Sequence, residues 1–406
     1  MSDGAAAVAM EPATWEGDLF VSEILRDPYP LYSELREKGP AVYNSRYDVY
    51  LIPRYDAVAR VLKDHESFTS SAGAGLSDIR KPGNWRPAGP LVETDPPNHT
   101  GIRSALNKIM SPVVVRKWRE TVLAEGEKVV DAALATGSFD AVRDLAEELV
   151  VRVFPQAVGL DLDRDKILKI GDLNFNAIGP QNELFMAALN RMQPLQQWFE
   201  RAQKREAVIS GGWGEQIFEA EDRGDIPPGT ASGLMMTIMR GGMDTTISGI
   251  GYAIKLLAEN PAQLAALQAA PNKAPQAFIE AIRLEAPIQS FFRTTVRDVA
   301  LDGVMLKAQT KCQVLPGSAN RDARRWALPD TYDIDRDTSG HLSFGNGVHN
   351  CLGQMIARLE AEAVLRPLAE RVESIDIIEK PNLRLVNCLR TLAELKVRVK
   401  LKQRRA

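Results

Sequence analysis

The chain has 406 residues, 45% of them hydrophobic and 25% charged, and its 50 lysines and arginines are nearly balanced by 53 aspartates and glutamates. That length is ample for a large core, and the net charge of −3 offers no basic field for nucleic acid. Only three cysteines occur, Cys312, Cys351 and Cys388, which excludes a disulfide framework and fits a reducing compartment.

The start, Met1 to Ala7, lacks the basic region and apolar core of a signal peptide, and no run of about 18 apolar residues predicts a membrane span. A cytoplasmic protein is expected. Residues 1–18 carry no regular pattern and are expected to be disordered. Pro28-Tyr29-Pro30 leads into a helix over 31–38, and alternating apolar residues at 42–43 and 47–52 predict a small hairpin. From residue 98 to about 267 helical spacing dominates, with stops at Pro155, Gly179-Pro180, Pro227-Pro228 and Asn260-Pro261. Short strands are expected over 294–304, at 313–315 and near 395–399. The basic end, Lys400 to Arg405, reads as a solvated tail. With no internal repeat or low-complexity linker, the outline is mainly α with small β-sheets to one side.

Several spacings on this outline carry chemistry. His99 and Arg103 are four apart and share one helix face, as solvated helices often arrange them. The long helix predicted over 232–259 contains Met239-Arg240-Gly241-Gly242-Met243-Asp244-Thr245-Thr246. Each glycine costs roughly 1 kcal/mol against alanine, so the pair either admits a close neighbour or opens the helix locally. Asp244 then supplies an acid and Thr245 an adjacent hydroxyl, which is what proton delivery needs. Glu280 and Arg283 are spaced to pair, on the surface or inside. The densest signal is Phe344-Gly345-Asn346-Gly347-Val348-His349-Asn350-Cys351-Leu352-Gly353, followed by a helical pattern. A thiol at a helix start meets unpaired N–H groups that favour thiolate, and the glycines permit close approach to a flat ligand. Such a thiolate suits axial ligation of haem iron.

The spacing Phe-x-x-Gly-x-His-x-Cys-x-Gly resembles the haem-binding signature of the cytochromes P450 at every fixed position, and the likeness runs from Pro28 to the final strands. It implies one P450 domain over 19–406, with haem b between the long central helix and the Cys-loop helix. Cys351 would be the metal ligand, with Phe344 and Gly353 beside it. The resemblance assigns His99, Arg103, Arg293 and His349 to the haem propionates, and makes Asp244 and Thr245 the proton-delivery pair of a Gly-x-Asp-Thr motif. Glu280 and Arg283 become a structural brace completed by an arginine or histidine of a later loop, expected within 320–325 or 329–333. The implied activity is a monooxygenase using O2, with electrons from a ferredoxin and its reductase. No flavin or nicotinamide segment is expected, since the chain ends shortly after Cys351 and Gly249-Ile250-Gly251 lies inside a helix. Arg116, Lys117 and Arg119 offer basic docking or merely a solvated face. A monomer is expected.

Further segments resemble bacterial P450s that oxidise para-substituted benzoates, often by removing an O-methyl group: Ser77-Asp78-Ile79, Trp85-Arg86-Pro87, Phe175 to Pro180, Asn182-Glu183-Leu184 and Gln289 to Thr294. In those relatives an Arg-Pro-x-Ser turn and an Arg-Ser pair bind the carboxylate. Here Arg86 is kept, Gly89 replaces the serine, and Met236-Thr237 stands for Arg-Ser. Arg240 either meets a substrate anion or pairs with Asp244. The expected substrate set is Arg86, Phe175, Ile178, Thr237, Arg240, Gly241 and Phe291, with the three apolar side chains clamping a ring. The expected substrate is a small aromatic acid or phenol such as a para-alkoxybenzoate. A P450 for another apolar substrate, such as a terpenoid or polyketide, and a non-catalytic haem protein are the alternatives. A peroxide-driven enzyme would lack the acid–alcohol pair.

Overall fold

The computed structural model describes residues 10–82, 84 and 87–403. Helices build the main body. The largest apolar cluster joins the helices Pro112–Thr136, Glu148–Val158, Ala231–Gly242, Asp244–Glu259, Ala274–Glu285 and Gln354–Arg371. Local sequence sets their ends. Ser111 precedes Pro112 at the first turn of the 25-residue helix, and Gly137, left-handed at φ 71°, closes it. Asn182 caps the helix Glu183–Met192 by accepting from Phe185 N. No described helix is long and apolar enough to cross a membrane.

Among the described residues, four small sheets flank this body. The six-stranded one runs in the order Ala13–Trp15, Val42–Asn44, Val49–Ile52, Lys311–Val314, Phe291–Thr295 and Phe68–Thr69. Phe291 stands opposite Val314, Arg293 opposite Cys312 and Thr294 opposite Lys311. Phe291 and Arg293 therefore share a face, while Thr294 turns the other way. A three-stranded sheet joins Val372–Ile377, Lys396–Leu401 and Ser138–Asp140, and two hairpins complete the set, Asn382–Leu385 with Arg390–Glu394 and Val299–Leu301 with Val304–Leu306.

Most predicted elements are present, with three corrections in the chain outline. The basic end is not simply a solvated tail, because Lys400 and Leu401 complete the strand Lys396–Leu401 against Val372–Ile377. The expected disorder over 1–18 does not hold from Met10 onward, because Ala13–Trp15 pairs in parallel with Val42–Asn44. Residues 1–9 lie outside the described set. Pro155 does not stop its helix, which runs on to Val158 and ends at left-handed Gly159. The buried proline sits where apolar packing outweighs one missing hydrogen bond. The stops at Gly179-Pro180 and Pro227-Pro228 fall between helices, and at Asn260-Pro261 one helix ends while Pro261 opens the next.

The Glu280–Arg283 pair is in the core, with both side chains fully buried. Arg283 Nε and Nη2 donate to the two Glu280 carboxylate oxygens at 2.6 and 2.8 Å, and its remaining donors reach the carbonyls of Asn320, Pro329 and Thr331. The third partner is Arg336, whose Nε lies 2.9 Å from Glu280. The segments 320–325 and 329–333 thus supply carbonyls, and the charge expected from them comes from the next turn of chain. Cutting Glu280 to glutamine leaves two arginines facing a neutral group. We expect a loss of about 3–5 kcal/mol, read as a lowered urea midpoint; a midpoint within error of wild type would make the brace inert.

Candidate active site

A cavity of about 720 Å3 opens between the central helix, the Cys351 loop and the Phe291–Thr295 strand. Of the three cysteines only Cys351 lines it. Cys312 is buried in the sheet, and Cys388 Sγ meets the Phe175 carbonyl at 3.1 Å. Left-handed turns at Gly345 and Gly347, with φ of 74° and 72°, fold the Cys loop. At Gly347 a Cβ would stand 2.9 Å from the Leu62 carbonyl oxygen, so the loop is seated tightly on the helix Tyr55–Lys63. Burial pushes the Cys351 thiol up, while the N–H groups of Gly353 and Gln354 and the charges of Arg103 and Arg358 pull it back. The expected thiolate preference of a helix start is therefore outweighed by burial in the protein alone, and a bound cation would reverse the balance.

The four residues expected at the propionates converge. His99, Arg103, Arg293 and His349 all line the cavity, and the two imidazole rings are 4.4 Å apart. Burial and neighbouring positive charge pull His99 down to about 4, and burial pulls Arg293 down to about 10. Nε2 of His99 and of His349 are both buried without a hydrogen-bond partner among the described residues, the nearest acid to His349 being Asp95 at 3.6 Å. Buried ring nitrogens left over beside Arg103 and Arg293 call for a polar ligand, and the two arginines favour an anionic one. A haem fits: one thiol for the iron, four nitrogen-bearing side chains for two carboxylates, and Phe344 and Gly353 on the same wall.

The central helix is two helices, Ala231–Gly242 and Asp244–Glu259, meeting at Met243 with φ −98° and ψ −70°. Each glycine has its own reason. A Cβ on Gly242 would stand 2.0 Å from the Phe154 ring, whereas one on Gly241 would meet nothing within 4 Å and would project into open space beside the cavity. Thr245 Oγ1 donates to the Gly241 carbonyl at 2.8 Å and lines the cavity.

Asp244 does not. It is 2% exposed, it accepts from Arg384 Nη2 at 2.8 Å, and its Oδ2 lies where a Cβ on Gly171 would be. Burial pushes the Asp244 carboxyl above its ordinary range, and Arg384 opposes this. The expected alternative of an Arg240–Asp244 ion pair is absent among the described residues: Asp244 is engaged by Arg384, away from the cavity that Arg240 lines. Arg240 lines the cavity with its guanidinium 5.2 Å from the Phe199 ring centre. Sequence reading missed Arg384 altogether, since nothing near Asp244 in the chain points to a hairpin strand far downstream.

Phe175, Ile178 and Phe291 meet in one apolar cluster and line the cavity, as does Thr237, whose hydroxyl donates to Gly233 O at 2.8 Å. Arg86 lies outside the described residues. Arg119 is committed to Glu362 through two bonds of 2.9 and 2.6 Å, so of the expected docking charges Arg116 and Lys117 stand exposed and Arg119 does not stand alone.

Comparison with known proteins agrees with this geometry. The family model described as cytochrome P450 matches residues 216–372. Cytochrome p450 CYP199A2 of Rhodopseudomonas palustris is 44% identical over 94% of this chain and 93% of its own. A beta-dihydromenaquinone-9 omega-hydroxylase of Mycobacterium tuberculosis is 28% identical over 94% of this chain and 78% of its own. Among solved structures, cytochrome P450 CREJ in complex with (4-ethylphenyl) dihydrogen phosphate has a TM-score of 0.83 at 25% identity, covering 93% of this chain and 98% of that one. A thiol set in this loop, a broken helix across the cavity and a near-full-length match to CYP199A2 lead to one statement: the chain belongs to the cytochrome P450 family of haem b monooxygenases.

Proposed function

We propose that the protein oxidises a small aromatic acid or phenol carrying an alkoxy or alkyl group, with O-demethylation as the characteristic outcome. The observation that carries this reading is one cavity that holds Cys351, the apolar clamp of Phe175, Ile178 and Phe291, and a cation at Arg240. Bound haem would supply the oxygen-activating iron, and Cys351 would hold it. The rest falls to the chain. Phe175 and Phe291 orient the ring. Arg240 and Thr237 sit upstream of Thr245 on the broken helix, by roughly 7–12 Å at 1.5 Å per residue, and can hold the anionic end away from the reacting group. Thr245 presents a hydroxyl at the cavity wall, and Asp244 behind it, shielded from bulk water, is placed to exchange a proton. The ligand in the CREJ complex, (4-ethylphenyl) dihydrogen phosphate, is a ring with an acidic group at one end and an alkyl group opposite, the same chemistry. Hydroxylation of an aryl methyl ether gives a hemiacetal, which loses formaldehyde to leave the phenol.

A benzoate-sized anion in such a cavity needs a cationic partner, because an unpaired buried charge costs several kcal/mol. Arg240→Leu should therefore weaken aromatic acids by roughly ten- to a hundred-fold while sparing neutral analogues of the same shape. Titrations that follow the haem spin state measure both. If wild type binds neutral aromatics better than acids and phenols, the pocket is simply apolar and the anion reading fails. Electrons are proposed to come from a ferredoxin docking near Arg116 and Lys117, in a monomeric cytoplasmic protein.

A further inference from the structure

Residues 72–80, which include the Ser77-Asp78-Ile79 segment, form one wall of the cavity through Ala74. This loop is tied to the site at two points by its own backbone. Leu76 N donates to the Ile178 carbonyl at 2.8 Å, and the Ala74 carbonyl accepts from Phe292 N at 3.0 Å. At Gly73 the chain turns at φ 102°, and a Cβ there would stand 2.8 Å from the Ser77 carbonyl oxygen. The turn thus folds the carbonyls of Gly73 and Ser77 toward one point.

Lys311 occupies that point. Its Nζ donates to the carbonyls of Ala72, Gly73 and Ser77 at 3.1, 3.2 and 3.3 Å. All three donors of the ammonium are used on main-chain oxygens. No carboxylate forms an ion pair with Lys311 among the described residues, since Asp78 is taken by Arg80 at 2.9 and 2.7 Å. Three carbonyl dipoles aimed at one point repel each other unless a cation stands between them. The lysine belongs to the Lys311–Val314 strand, paired with the strand that supplies Phe291 and Arg293 to the cavity.

We propose that Lys311 is a positioning residue for the substrate wall: its ammonium fills a three-carbonyl cation site and so fixes residues 72–79, and through Leu76 the Ile178 end of the ring clamp. The proposal rests on this cavity being the substrate site, and not on the substrate being an acid.

Lys311→Met removes the charge and leaves the three oxygens converging on an empty point, where a free monovalent cation of similar charge can enter. The test uses haem-loaded protein and two probes, 4-phenylimidazole, a neutral ligand of the iron, and 4-methoxybenzoate. With N-methylglucammonium as the only cation, K311M should bind 4-phenylimidazole about tenfold more weakly than wild type. Potassium or ammonium chloride at equal ionic strength should restore it, and wild type should ignore the exchange. During turnover of 4-methoxybenzoate the loss should appear in KM, with kcat within about twofold. Wild-type affinity in K311M without small cations, or equal rescue by the large cation, overturns the proposal. If 4-phenylimidazole responds as described while 4-methoxybenzoate fails to bind even wild type, the aromatic-acid reading falls and this one stands. Should K311M not take up haem, amide exchange in wild type decides. Leu76 and Ile79 should exchange as slowly as the adjoining strand, and fast exchange there overturns the proposal.

Discussion

Replacing Cys351 with serine or histidine should abolish the red-shifted carbonyl band of the reduced protein and reduce turnover to background. The argument is electrostatic. Burial pushes the Cys351 thiol up, the N–H groups of Gly353 and Gln354 pull it down, and a bound cation would favour the anion further. A serine hydroxyl in the same place starts several units less acidic and stays protonated. An imidazole there ligates as a neutral donor and cannot push electron density as a thiolate does. Cys312→Ser and Cys388→Ser are the controls. Both sulfurs are buried outside the cavity, so these variants should keep the band even where stability falls. A Cys351 variant that retains the band would sink the assignment.

Different features of the molecule were legible to different degrees. The Cys loop was readable because its chemistry is contiguous: turn, thiol and helix start occupy one stretch of chain. The glycine pair before Asp244 announced an irregular helix, and the structure breaks at the following residue. What the pair could not convey is direction. Reading the helix as continuous puts Arg240 and Asp244 on one face, whereas Arg240 lines the cavity and Asp244 is held by Arg384 behind it. Arg384 and Arg336 were invisible for a related reason. Each meets its carboxylate across a long sequence separation, and no local periodicity encodes such a contact. The strand Phe68–Thr69 is only two residues long, too short for alternation to register, and Ala13–Trp15 gains its regularity from a parallel partner. Pro155 shows the converse, a strong local signal overruled by tertiary packing.

Asp244→Asn should lower turnover by roughly a hundred-fold and enlarge the solvent isotope effect, while haem and substrate binding stay intact. Thr245→Ala should behave differently, consuming reducing equivalents at a near-normal rate but releasing hydrogen peroxide. The distinction follows from position. Thr245 faces the cavity and presents its hydroxyl there, so its loss spoils the use of protons more than their supply. Asp244 lies behind the cavity wall, against Gly171 and Arg384, so its loss affects supply. Its carboxyl is poised between two opposed influences, burial that favours the protonated form and Arg384 that favours the anion. Removing the arginine leaves burial unopposed. Asp244 should then hold its proton permanently, and Arg384→Met should slow turnover much as Asp244→Asn does. If Asp244 and Arg384 form the proposed proton-exchanging unit, the double variant should be about as slow as either single one, a strongly non-additive cycle. Losses that multiply would show that Arg384 acts elsewhere, for example on the neighbouring Asp172 and Glu147 whose fields it also feels. Normal rates and full coupling in Asp244→Asn and Thr245→Ala would show that the acid and the alcohol are incidental here.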